Sequence, residues 1–382
     1  MAAVIVLASL VFIGVVLHDG FEVILLPRRV SRKLRLARLF YIGAWRVWRL
    51  AATWIESAKR REAFLSWFGP ASAIQLFAIW AGCLIAGFAA IHWALGTALN
   101  LPGGRPGSIA EYLYFSGVTF FTLGFGDLAP VATLGRFLAV AEAGIGFGFL
   151  AAVIGYLPVF YQAFSSREIG ISLLDARAGS PPTAAALLLR LASSRGLEPL
   201  DRFFQEWERW AAQVLESHLS FPLVSYYRSQ HDNQSWLAAM TAILDASALT
   251  IAGAKRVDPY QAELAFAMAR HAVVDLAQAY QVPPIEAAVD RMPPDRLLGL
   301  LEDLQLAGLD VRDGSAVGPK LAELRGMYEP FVLALSAYFL LPLPPIQAEA
   351  ATVDNWQTSA WMKQTRGIGT LARADPGDDH DD

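Results

Sequence analysis

Cysteine is almost missing: Cys83 is the single one in 382 residues, which excludes an intrachain disulfide and any zinc site assembled from cysteines. Charge is scarce as well. Asp, Glu, Lys and Arg make up 17% of the residues against 55% hydrophobic ones, a balance far from the soluble norm and suited to a bilayer. The net charge of -4 is too small to point to nucleic acid or an acidic substrate. No period-2 alternation marks a strand, no G-x-G-x-x-G follows one, and no Walker-type loop occurs, so a dinucleotide-sensing domain is disfavoured. No nucleophile elbow precedes a helix, and the chain reads as a non-enzyme that needs no cofactor.

What the chain does have is long apolar runs. Three of them supply the ~20 residues a helix needs to cross hydrocarbon: Ala2 to Leu26, Trp67 to Leu95 and Leu134 to Phe164. The first lacks the positive n-region of a secretory signal, and His18-Asp19-Gly20 is no small-residue cleavage site, so a retained helix is expected. Arg28, Arg29, Arg32, Lys33, Arg35, Arg38, Arg46, Arg49, Lys59, Arg60 and Arg61 follow it, an excess that belongs on the cytoplasmic side and places the amino terminus outside. The loop Gly96 to Gly107 carries Arg105 alone, as an outward loop should, and the chain after Phe164 returns to the cytoplasm. The expected location is a bacterial plasma membrane.

At ~100° per residue, Arg35, Arg38, Arg46 and Arg49 fall in one narrow arc with Trp45 and Trp48 turned away from it. That pattern predicts an interfacial helix within 27–64, its arginines on anionic lipid headgroups and its tryptophans among them. Arg29, Arg32, Arg35 and Arg38 also recur every third residue, as in a voltage sensor. A sensor needs three preceding helices to shelter such arginines, and only about one span of chain precedes Arg28. His18, Asp19 and Glu22, near the cytoplasmic end of the first span, read as a solvated helix end rather than a proton sensor.

Between the second and third runs lies Ile109 to Phe121, about 13 apolar residues, too short to cross and ended by a glycine-rich turn. It is expected to enter the membrane and return. Irregular backbone at that depth is tolerated where protein or water satisfies it, so the segment should line a pore closed by several copies. A helix there aims the partial negative charge of its C-terminus at the centre, which favours a cation.

Thr122-Leu123-Gly124-Phe125-Gly126-Asp127 follows at once, and with its setting between two spans it resembles the signature of the potassium-channel family. The resemblance covers residues 70 to 165 and implies a two-span pore module: outer helix, re-entrant pore helix, filter and inner helix. It implies further that the carbonyls of Thr122, Leu123, Gly124 and Phe125 replace the hydration shell of potassium, the permeant ion. Phe125 would then pack on the pore helix, and Asp127 would sit behind the outer mouth. Leu123 stands where valine is usual and Phe125 where tyrosine is, which removes a hydroxyl that buffers the filter against collapse. In the inner helix, Gly144, Gly146 and Gly148 fit a hinge and close packing about equally, and Gly155 with Pro158 marks a second weak point. Glu142 is an intramembrane carboxylate and so a gating candidate; pairing with a pore-helix group or with Arg136 is the expected role.

After Arg167 the chain reads as helical, with breaks at Gly179 to Pro182, Phe221-Pro222, Asp258-Pro259 and Val282 to Pro284. Leu200 to Leu219 and Pro259 to Tyr280 are amphipathic. Trp236 to Ala254 is apolar enough to suggest a fourth span, but Asp245 at its middle argues for a soluble helix. His271 with Asp275, and the run Tyr226 to Asp232, offer a ligand or metal site on paper, though helix-end and inter-helix contacts are the commoner use of such residues. The expected whole is an all-α membrane protein: an N-terminal span (1–26), a basic interfacial helix (27–64), the pore domain (65–165), a helical cytoplasmic domain (166–375) open to an unidentified ligand or protein, and a disordered acidic tail (376–382). Four such subunits would form the pore; the alternatives are a less selective cation channel on the same scaffold and a non-conducting, membrane-anchored binding or scaffold protein.

Overall fold

The computed structural model describes residues 1–24, 35–192, 198–230, 233–255 and 258–348. The basic residues Arg28 to Lys33, His231, Asp232 and the acidic tail lie outside the described residues. Within them the chain is all-helical, with no named strand. It divides into two compact units, Met1–Gln162 with Ser220–Tyr227, and Ala163–Leu219 with the described residues from Arg228 onward.

The first unit contains α1 (Ala2–Ile24), α2 (Leu36–Thr53), α3 (Ala58–Ser66), α4 (Phe68–Ala94), α5 (Ile109–Phe120) and the upper part of α6 (Thr133–Ala178). Helix α1 is apolar all round yet buries only the stripe Ser9, Ile13, Val16, Asp19 and Glu22, leaving residues such as Val4 and Val11 uncovered, as suits a helix in lipid. The stripe packs on α4, where Gly87 admits Ile13: a Cβ on that glycine would stand 2.7 Å from the Ile13 side chain.

Asp19 and Glu22 are buried, which corrects their reading as a solvated helix end. Asp19 Oδ2 accepts from Trp80 Nε1 and from the backbone N–H of Ala37, both at 3.0 Å. The second bond caps α2 from another helix, since Arg35 at its N-cap makes no side-chain cap of its own. Glu22 stands 3.3 Å from Arg35 and 3.4 Å from His18.

The aromatic anchors of α2 also differ from expectation. Trp45 is 3% exposed, wedged against Phe68 and Tyr226, and Trp48 stacks on Phe64 while donating Nε1 to its carbonyl at 3.2 Å. Arg35 is engaged by Glu22, and Arg38 is half-buried. Only Arg46 and Arg49 of the predicted lipid stripe are exposed, together with Leu39, Val47 and Leu50. Burying an indole yields more than leaving it at an interface when protein is there to receive it, and Ser220–Tyr227 supplies that protein. Tyr226 meets Tyr41, Trp45 and Phe68; Tyr227 lies over Gly69 and against Phe160; Phe221 meets Tyr156. This segment lies in the middle of the soluble-looking sequence, yet it is part of the first unit.

The second unit is built on α9 (Trp236–Gly253), whose residues are nearly all buried and which packs against α7 (Ala184–Ala192), α10 (Tyr260–Tyr280), α12 (Gly314–Gly326) and α13 (Glu329–Phe339). Four helical stretches among the described residues are long and apolar enough to cross a membrane, the others being α1, Ala58–Ala94 and α6. Helix α9 is apolar all round because protein covers every side of it. Its Asp245 accepts from Arg291 at 2.7 Å and from the Tyr328 hydroxyl at 2.5 Å, and the chain of pairs continues through Glu329, Arg325 and Asp290. The His271–Asp275 pair spans 3.5 Å on the outside of α10, and no cluster of three metal-ligating side chains occurs among the described residues.

Helix α8 (Glu198–Ser220) buries Phe203, Trp207, Trp210, Val214 and His218 at helical spacing, and Gly170 of α6 leaves room for the Trp210 indole. Burial, with the Arg167 guanidinium adding to it, pushes the His218 imidazole well below its ordinary value. The folded chain therefore keeps His218 neutral, while the unfolded chain takes up a proton below pH ~6.5. Stability from this group is complete above that pH and falls as pH drops, by at most about 1.4 kcal/mol per pH unit. In thermal melts between pH 7 and pH 5, His218→Phe should lose less midpoint than the wild type; equal losses would show that His218 does not set this slope.

Candidate ion-conduction site

The re-entrant element predicted from the short apolar run is α5. Its start is fixed by a capping box: Ser108 accepts from the Glu111 N–H, and the Glu111 carboxylate accepts from the Ser108 N–H at 2.7 Å. Arg105 donates to the same carboxylate at 3.0 Å, tying the outer loop to the helix start. The loop is tied again at Asn100, whose N–H donates to the Ala129 carbonyl at 3.0 Å and whose side chain accepts from the Ala129 N–H at 2.7 Å.

Helix α5 ends at Phe120, and the chain turns back through Thr122 to Asp127. Thr122, Gly124 and Gly126 take φ of 55°, 60° and 78°, every second residue being left-handed. Such alternation sets successive peptide planes so that their carbonyls lie on one side of the strand, which two of the three positions achieve without a Cβ penalty. Thr122 is β-branched and strained there, a feature typical of functional segments. All six residues from Thr122 to Asp127 are exposed on the single chain, with Leu123 at 56% and Phe125 at 65%.

Behind the turn stands α6. Gly146 presses on the last carbonyl of α5: a Cβ there would fall well inside contact with the Phe120 oxygen and 2.8 Å from its carbon. Gly144 and Gly148 meet nothing of the chain within 4 Å. Gly146 permits this close approach. Helix α6 runs unbroken past Pro158, flanked there by Tyr156 and Phe160. Glu142 is fully buried and pairs with a pore-helix group, Ser116, as expected, and also with His92 of α4 at 3.6 Å. Arg136, the other partner considered for it, donates to the Pro130 carbonyl instead. Sequence reading missed His92 and Ser116. An ionisable residue in the otherwise uncharged run of α4 was the signal available for the first; the second carries none apart from its place on α5.

Two apolar helices long enough to cross a membrane, a capped half-length helix between them and a left-handed turn make up this part of the chain. Residues 79–163 match the family model described as ion channel. The uncharacterised membrane protein YdjJ of Bacillus subtilis is 24% identical over 215 residues, covering 55% of this chain and 62% of its own. The protein LctB of Geobacillus stearothermophilus is 34% identical, and that of Bacillus caldotenax 32%, each over 84 residues that make 20% of this chain and 62% of the relative. The chain thus spans 62% of the length of each of these relatives. No solved structure matches it. It is a membrane protein carrying an ion-channel domain.

Proposed function

We propose that the protein is a potassium-selective channel in which four copies surround one pathway and the carbonyls of Thr122, Leu123, Gly124 and Phe125 coordinate the dehydrated ion. The alternating left-handed backbone at Thr122, Gly124 and Gly126 carries this reading, because rings of carbonyl oxygens are what a dehydrated cation requires. Leu123 and Phe125, large apolar side chains left uncovered by their own chain, favour an assembly in which neighbouring copies cover them, and with that the packing on a pore helix expected of Phe125. The proposed orientation has the amino terminus outside and the second unit in the cytoplasm of a bacterial cell, with Arg46 and Arg49 at anionic headgroups. Asp127 sits behind the outer mouth in this reading.

A second reading, a less selective cation channel on the same scaffold, is favoured by Phe125, which has no hydroxyl with which to brace the filter. Flux of potassium and sodium into liposomes holding the purified protein separates the two readings. Gly124→Ala forces a side chain into a left-handed position at a cost of about 1–2 kcal/mol in each subunit, and potassium flux is expected to cease. Equal flux of both ions would favour the second reading, and undiminished flux through Gly124→Ala would remove the filter from Thr122–Asp127 altogether.

A further inference from the structure

Polar groups meet where α4, α5 and α6 touch, and His92, Ser116 and Glu142 are each 0% exposed. The Ser116 hydroxyl lies within hydrogen-bond reach of two acceptors, the Ile85 carbonyl at 2.8 Å and Glu142 Oε1. A hydroxyl has one proton to donate. Both neighbours are satisfied when Glu142 carries a proton and donates it to the Ser116 oxygen, leaving Ser116 to donate to Ile85. On its other side, Glu142 Oε2 faces His92 Nε2 across 3.6 Å, and neither atom has a hydrogen-bond partner. His92 Nδ1 is already engaged with Thr97 Oγ1 at 3.1 Å, and the Thr97 carbonyl accepts from the Tyr112 hydroxyl at 2.7 Å. A carboxylate and an imidazole placed together in an apolar interior are stable when a proton is shared between them and costly when either bears an uncompensated charge.

We propose that His92, Ser116 and Glu142 form a proton-binding site whose occupancy makes conduction depend on pH. This rests on the pore reading above. With the site occupied, Glu142 carries the proton, Ser116 donates to Ile85 and the pore helix is tied to α4; with the site empty, Ser116 donates to the Glu142 carboxylate and the pore helix is tied to α6. As pH rises the site gives its proton up to solvent, the Ser116 hydroxyl turns from the Ile85 carbonyl to the Glu142 carboxylate, and His92 Nε2–H supplies the other donor; one proton is exchanged with solvent and no other atom changes hands. The change reaches the filter because Gly146, one turn beyond Glu142, bears on the last carbonyl of the pore helix. The other charged groups near this site are engaged elsewhere: Glu111 with Arg105, Arg136 with the Pro130 carbonyl, and, on the neighbouring α1, Asp19 with Trp80 and Glu22 with Arg35; farther along α6, Arg167 pairs with Glu168. Facing Glu142 are His92 from α4 and Ser116 from α5.

Infrared difference spectra of the full chain in liposomes, recorded across a pH titration beside potassium flux, test this. The wild type should show a protonated-carboxyl band that changes with pH over the range in which flux changes. That band should be missing from Glu142→Gln, its midpoint should move in His92→Gln, and Glu142→Gln should flatten the pH profile of whatever flux it carries. A band that survives Glu142→Gln, or that ignores pH, overturns the proton site, as does a flux profile that Glu142→Gln leaves unchanged. Absence of flux in every protein would instead overturn the pore reading, while the band still decides the site.

Discussion

Gly146→Ala is expected to abolish conduction and to lower the thermal midpoint of the protein, although the change adds a single methyl group. Its Cβ would overlap the Phe120 carbonyl, and the colliding atoms belong to helical backbone on both sides, so no rotamer change relieves the contact. Overpacking commonly costs about 1–3 kcal/mol, and a clash between two backbones lies at the upper end or above it. The relief available is to slide α5 off α6, which displaces the residues leading into Thr122. Gly144→Ala serves as the control, since a Cβ there meets nothing of its own chain within 4 Å, and it should keep flux. A Gly146→Ala protein that conducts like the wild type would show that α5 and α6 do not hold this contact in the conducting state.

The second large effect is expected in the other unit. Arg291→Met removes the cation from between Asp245 and Glu329, leaving the Asp245 carboxylate fully buried with the Tyr328 hydroxyl as its remaining partner. Breaking a buried pair on one side costs about 3–5 kcal/mol, because the charge left behind is desolvated without compensation. Hydrogen exchange reads this locally: amide protection along α9 should fall by about a hundredfold or more, since each 1.4 kcal/mol is a factor of ten. Asp245→Asn added to Arg291→Met should restore part of the loss by removing the orphaned charge. Protection unchanged in Arg291→Met would mean that helix packing alone holds α9.

The pore elements were legible in the sequence because each left a local mark. Span length gave α1, α4 and α6, the short apolar run gave α5 within a residue of its end, and the glycines at 124 and 126 marked the left-handed turn. Partners far apart in the chain left no such mark. The Asp19–Trp80 bond joins residues separated by 61 positions, and nothing near Asp19 tells that its carboxylate caps a helix not yet reached. Trp45 misled for the same reason: on a basic amphipathic helix an indole fits headgroups as well as it fits a protein pocket, and its pocket is supplied by Tyr226. For Gly146 the ambiguity between hinge and contact is inherent in the residue, and the atom that removes it, the Phe120 carbonyl, belongs to another helix.

The placement of Ser220–Tyr227 means that the channel cannot be trimmed to its spans. A chain ended after Gln162 would keep every helix of the membrane module and lose Phe221, Tyr226 and Tyr227, baring Trp45, Phe68 and the Tyr156–Phe160 pair. This compact unit is therefore discontinuous along the gene product, its last piece resting on Tyr156 and Phe160 of α6.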